Sequence, residues 1–152
     1  MNILIVEDID RDRFMLKLML NKLGHNILEA SNGNAAVTYF TEGGHSIDLV
    51  ITDLNMPGMN GIDATKQIRQ ITKNKHVAII FITSSDDEET LEECLECGGD
   101  DFIRKPISQT ILRSKINVHD RIIDGYNRIT KMNTELLNFR TQSEEESRMA
   151  EK

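Results

Sequence analysis

No apolar run in this chain of 152 residues approaches the roughly 20 residues that cross a bilayer. The N-terminus has no basic leader and opens directly into a short apolar stretch, so no secretory signal is expected. These absences predict a cytoplasmic protein with no membrane partner. An excess of positive charge is missing too. The net charge is -7 and the pI about 5.1, which argues against direct nucleic-acid binding and against an anionic membrane surface. Such a balance leaves a cation site open, since carboxylates favour one. Cysteine is scarce: Cys94 and Cys97 form the one C-x-x-C. A zinc site would want two more ligands nearby, and a redox pair a thioredoxin-like helix start. The pair therefore reads as small side chains on the inner face of a helix. Low-complexity tracts and internal repeats are also lacking, and the length suits one good core.

What the chain does have is a repeated alternation of strand-like and helix-like periodicity. Strands are predicted at 2–6, 26–30, 48–52, 77–82 and 101–104. The first, third and fourth are rich in Ile, Val and Leu, as strands covered on both faces are. Amphipathic segments lie between them. The first, about 10–23, is expected to turn Phe14, Leu18 and Leu20 inward and to end at Gly24. The second, about 33–42, carries Ala36, Val37 and Phe40 and ends at Gly43-Gly44. The third, about 61–72, carries Ile62, Ile68 and Ile71; the fourth, about 86–97, carries Leu91 and Leu95. This alternation implies an α/β fold with a parallel sheet, right-handed crossovers and helices on both faces. Such sheets bind ligands at the carboxyl ends of their strands.

Those ends carry chemistry. Ile3-Leu4-Ile5-Val6 stops on Glu7-Asp8, Leu49-Val50-Ile51-Thr52 on Asp53, Val77 to Ile82 on Thr83, and Asp101 to Arg104 on Lys105-Pro106. Glu7, Asp8 and Asp53 meet if the first and third strands are neighbours. Three carboxylates so close repel one another, and a hard divalent cation with oxygen ligands, Mg²⁺ being the abundant one, relieves that repulsion. A lone acid at a strand end is often only a helix cap or a solvated loop residue, and Asp10 is read as one of these. Lys-Pro after an apolar strand is unusual; a cis Lys105-Pro106 bond would aim the ammonium back across the strand ends. Together these parts suit an acyl-phosphate site, with Asp53 attacking phosphorus, Lys105 and the metal offsetting equatorial charge, and Thr83 reading the product.

In these features the segment 1–120 resembles the receiver domain of two-component response regulators. The match rests on Glu7-Asp8, on Asp53 followed by Met56-Pro57 and Gly61, on Thr83-Ser84, and on Lys105-Pro106. The resemblance implies a flavodoxin-like (βα)5 doubly wound sheet of order 2-1-3-4-5. It implies phosphorylation of Asp53 by a histidine kinase or histidine phosphotransfer protein. It implies Mg²⁺ held by Asp8, Asp53 and the backbone carbonyl of Asn55, with Glu7 acting through water. Phe102 matches the switch aromatic that turns inward when Thr83 closes on the phosphoryl group. Asn55 and Ser85 fall where the family tunes the lifetime of the signal. Such a chain is a regulator, catalysing only its own phosphorylation and dephosphorylation.

Rival readings fit less well. A phosphohydrolase using an aspartyl phosphate would want a second acid two residues after the nucleophile, where Asn55 stands. A flavin module would want a phosphate loop after the first strand, where Glu7-Asp8-Ile9-Asp10 would repel a phosphate. An interaction domain with an incidental acidic pocket would not take up phosphate at all.

Beyond Pro106 the pattern becomes one long helix from 107 to about 140, running into a polar stretch at Thr141. Its first part, with Ile111, Leu112 and Ile116, is expected to cover the sheet up to about 118. Val118, Ile122, Gly125, Ile129, Met132, Leu136 and Phe139 then alternate in steps of four and three, a heptad seam. This predicts a helical, coiled-coil extension over 121–152 and a parallel homodimer through 118–140. The extension is expected to lead toward an output domain outside this chain.

Overall fold

A computed structural model describes residues 1–43, 45–73 and 75–150. Gly44, named above as part of a helix end, lies outside the described residues. Strands β1 (Asn2–Val6), β2 (Asn26–Ala30), β3 (Leu49–Asp53), β4 (Ala78–Thr83) and β5 (Asp101–Arg104) alternate with helices α1 (Asp10–Asn21), α2 (Gly33–Thr41), α3 (Gly61–Ile71), α4 (Glu88–Glu96) and α5 (Gln109–Ala150). All strand pairs are parallel, in the order β2-β1-β3-β4-β5. This is the flavodoxin-like doubly wound fold expected, with a long C-terminal helix.

The apolar runs of β1, β3 and β4 are buried throughout because both faces of the sheet are covered. One core joins Leu4, Val6, Val50, Ile79 and Phe81 to α2, α3 and α4; the other joins Ile3, Ile5, Ile51, Ile80 and Ile82 to α1 and α5. Between α3, β4 and the turn before β5, Arg69 acts as a staple. Its guanidinium donates to the carbonyls of Gly98 (2.8 Å) and Val77 and to Asp100 Oδ2 (2.8 Å), which also accepts from the Ile79 N–H. Arg69→Ala strands two carbonyls and half of an ion pair. It should cost on the order of 2–3 kcal/mol in urea denaturation; a loss under about 0.5 kcal/mol would show that water replaces the staple.

Several expectations need correction. Leu16 and Leu20 are the buried residues of α1, while Phe14 is 58% and Leu18 41% exposed. At 3.6 residues per turn, positions two away from Leu16 fall on nearly the opposite face. Of the two readings of Asp10 the solvated one holds: Ile9 occupies the cap position of α1 with no side-chain cap bond, and the exposed Asp10 accepts from Arg13. Ile71 ends α3 exposed, and in α4 Cys94 takes the inward place while Leu95 faces out. Cys94 and Cys97 are free thiols. Cys94 is buried and Cys97 packs half-buried against the same core, as small side chains on an inner helix face; burial first, then the neighbouring thiol, pushes Cys94 up to about 11.

In α5 the inward face is Leu112, Ile116, His119 and Ile123, with Ile111 exposed. Burial against the receiver thus runs to Ile123, past the expected limit near 118. The helix also continues unbroken through the polar stretch to Ala150, because Thr141–Glu146 holds no Gly or Pro to stop it. The seam residues Val118, Ile122, Ile129, Met132, Leu136 and Phe139 are 42% to 72% exposed.

Candidate functional site

Because β1 and β3 are hydrogen-bonded neighbours, their carboxyl ends bring the acids together. Glu7 follows the last residue of β1 and is buried; Asp8 beside it is half-buried; Asp53 ends β3, 7% exposed. Carboxylate oxygens of Glu7, Asp8 and Asp53 all lie within 4.8 Å of one another. From the far side, Lys105 Nζ donates to Asp53 Oδ2 at 3.1 Å and lies 3.7 Å from Glu7 Oε2. The Lys105-Pro106 bond is cis. The loop after β3 closes over the acids: the Asn55 N–H points at Asp53 Oδ1 (3.4 Å), Gly58 adopts φ 76°, and the Gly61 N–H returns to the Leu54 carbonyl at 2.9 Å. Asn60 then caps α3 by accepting from the Asp63 N–H.

The electrostatics of this pocket are unbalanced. Burial, then the hydrogen bond and charge of Asp53, push Glu7 up to about 7, against the opposing Ile9 N–H and Lys105. Burial pulls the Lys105 ammonium down, but Asp53 and Glu7 outweigh it and the pKa rises. One ammonium therefore does not neutralise three carboxylates. An all-oxygen donor set with surplus negative charge fits a hard divalent cation.

Thr83 ends β4 with its side chain buried, and its Oγ1 accepts from the Ser85 N–H at 3.0 Å. The Ser85 hydroxyl in turn accepts from the Asp87 N–H at 3.1 Å, at the start of α4. Phe102 in β5 is half-buried. It packs against the core while Lys115 Nζ lies 5.8 Å from its ring centroid. Lys115 reaches Asp101 Oδ1 at 2.7 Å, tying β5 to α5. The strand ends thus gather Glu7, Asp8 and Asp53 within 4.8 Å of one another, with Lys105 paired to Asp53 and Glu7. Thr83 sits on the neighbouring strand, and Phe102 lies outside that contact cluster.

Sequence reasoning missed a surface beside this cluster. A cleft of about 240 Å³ is lined by Glu7, Asp12, Met15, Leu16, Met19, Ile82, Lys105, Pro106 and Ile107. Ile9, Phe14, Met15 and Leu18 lie exposed on and just before α1 nearby. The signal was present, since α1 is apolar on two faces and the sheet can bury only one.

Residues 3–117 match the response regulator receiver domain family. Among curated relatives, a cyclic di-GMP phosphodiesterase from Thermotoga maritima is 39% identical over 83% of this chain, which spans only 33% of that protein. Chemotaxis protein CheY-3 from Vibrio cholerae is 37% identical over 77% of the chain and 89% of its own length. Among solved structures, a response regulator receiver domain protein from Clostridium thermocellum aligns at TM-score 0.71 with 32% identity, covering 78% of this chain and 92% of that one. The receiver domain of Saccharomyces cerevisiae Ssk1, solved with the histidine phosphotransfer protein Ypd1, aligns at TM-score 0.70 with 32% identity over 76% of this chain and 86% of that one.

Proposed function

The chain belongs to the response regulator receiver family, and from that premise we propose that Asp53 is its phosphoacceptor, loaded by a histidine kinase or a histidine phosphotransfer protein. The observation that carries this reading is the ammonium of Lys105 at 3.1 Å from Asp53 beside two further carboxylates. An Asp53 carboxylate oxygen attacks the phosphorus of a phosphohistidine, the P–N bond breaks, and the imidazole leaves with its electron pair. Lys105 is placed to meet the charge on the transferred oxygens. Asp8, Asp53 and the Asn55 carbonyl would hold Mg²⁺ directly and Glu7 through water; when bound, the ion neutralises negative charge around the phosphoryl group. The exposed apolar face of α1 beside the cleft suits a helix of the phosphodonor, which would place its histidine over Asp53. Asn55, two residues after the acceptor, and Ser85, two after Thr83, tune hydrolysis of the acyl phosphate. Incubation with Mg²⁺ and phosphoramidate should add one base-labile phosphoryl group, mapped to Asp53. Stoichiometric label on a serine or threonine instead would overturn the assignment.

Thr83 and Phe102 form the response. The Thr83 hydroxyl turns from the Ser85 N–H to the phosphoryl oxygen, and Phe102 moves inward into the space this vacates. A ligand shifts such an equilibrium only through its differential affinity for the two states, which that new bond supplies. Thr83→Ala should still be phosphorylated but lose most of the NMR shift across 84–106. A full shift in that variant would remove the hydroxyl from the switch. The signal leaves through α5, whose exposed seam pairs two chains in parallel over 118–140 and carries it to an effector. In that register Ile122, Ile129 and Leu136 occupy a positions, and Val118, Gly125, Met132 and Phe139 occupy d positions. Glu135 then meets Arg140 of the second copy, an opposite-charge pair that favours the parallel arrangement.

A further inference from the structure

The residue at which α5 parts from the receiver belongs to two surfaces at once. Ile123 is the last buried residue of the helix, and from Tyr126 to Ala150 every residue is exposed. Tyr126 lays its ring against His76, centroids 5.2 Å apart and planes tilted by 36°. His76 stands two residues before β4, the strand whose other end is Thr83. Tyr126 remains 39% exposed, so part of its ring is open. One residue before it, Gly125 has nothing within 4 Å of where a Cβ would stand, leaving a hole in the seam.

The heptad register says what lies against that open side. With Ile122 and Ile129 at a, Tyr126 occupies e and Arg121 the preceding g. In a parallel pair the g residue of one chain meets the e residue of the other, five positions on. Arg121 is exposed and makes no ion pair among the described residues, whereas Arg128, the next g residue, is held by Asp124 at 2.9 Å. The receiver-facing residues of α5, Leu112, Ile116, His119 and Ile123, fall at b and e positions. Tyr126 therefore sits on the border between the receiver face and the seam.

We propose that Arg121 of a second copy of the chain stacks on the open face of Tyr126, giving two symmetric His76–Tyr126–Arg121 stacks that cover the hole at Gly125 and clamp the helix pair to both receivers. This rests on the parallel coiled-coil reading above. A planar guanidinium over a tyrosine ring is a favourable cation–π pair, most so where water is excluded. Within one chain, residues five apart lie about 140° apart around the helix and do not touch. Any coupling between Arg121 and Tyr126 is then a contact between chains.

Sedimentation equilibrium of the full chain tests this with Arg121→Ala, Tyr126→Ala, the double variant and Tyr126→Phe. Each alanine variant should weaken dimerisation about tenfold, since two contacts are lost per dimer. The double variant should be no weaker than the worse single one, and Tyr126→Phe should match the wild type. Alanine forms helix better than tyrosine, so weakening by Tyr126→Ala is not loss of the helix. Effects that multiply in the double variant, or a dimer indifferent to either single change, would overturn the stack and leave the coiled coil standing. A wild-type chain that stays monomeric at high micromolar concentration would overturn both.

Discussion

Asp53→Asn is expected to abolish Mg²⁺-dependent labelling by phosphoramidate, because an amide offers no nucleophile to the phosphorus. The same change should alter how stability depends on pH. Glu7 is held at about 7 by burial and by Asp53. In its metal-free form, with EDTA present, the folded protein therefore binds a proton at Glu7 that the unfolded chain releases nearer pH 4.5. Stability associated with that proton is full below about pH 4.5 and is lost as pH rises through about 7. The loss is on the order of 2 kcal/mol, and Mg²⁺ should reverse it by favouring the ionised carboxylates. Removing the Asp53 charge takes away a cause of the shift, so Asp53→Asn should flatten the profile as well as silence the label. Urea titrations at pH 5 and 8, with and without Mg²⁺, measure this. A variant that still labels fully would refute the acceptor assignment. A wild-type profile without the fall between these pH values would refute the account of Glu7.

Gly61→Ala should be the most damaging single-methyl change near the site. A Cβ at Gly61 would collide with the backbone carbonyl of Asp53 and come within 3.1 Å of the Phe81 ring and 3.2 Å of Leu54 Cα. None of these can yield cheaply: Asp53 and Leu54 are backbone at the end of β3, and Phe81 is fully buried. The loop from Leu54 to Asn60 must shift instead, and it carries the Asn55 N–H that faces the Asp53 carboxylate. A loss of about 2–4 kcal/mol is expected, as for overpacking against rigid neighbours. Labelling should slow together with it. Denaturation within about 0.5 kcal/mol of the wild type would show that the loop relocates freely.

The residues of the site were more legible in the sequence than the packing around them. Glu7, Asp53, Thr83 and Lys105 each interrupt or follow an apolar strand, and a parallel sheet has to deliver such residues to one edge. Their proximity follows from topology and needs no knowledge of side-chain packing. The orientation of α1 was not legible for the opposite reason. Phe14, Met15, Leu16, Leu18, Met19 and Leu20 are apolar all round, so periodicity cannot say which stripe meets the sheet. The sheet takes Leu16 and Leu20, and the remainder faces the place where a phosphodonor is proposed to dock. Asp10 stood between a cap and a solvated residue because its side chain suits either, and Ile9 takes the cap position by backbone geometry alone. The reach of receiver packing along α5 depends on the width of the sheet and on His76, which lies 50 residues away in sequence from its contact Tyr126 and leaves no local trace.

That α5 runs unbroken from Gln109 to Ala150 has a mechanical consequence. The part beyond Ile123 is a lever arm about 40 Å long at 1.5 Å per residue. Its fulcrum is the short stretch gripped by the receiver. A tilt of about 5° at that fulcrum, small enough to follow a single ring changing place, sweeps the far end through about 3.5 Å. The displacement grows in proportion to the distance from Ile123, so a contact made near Ala150 would be moved most.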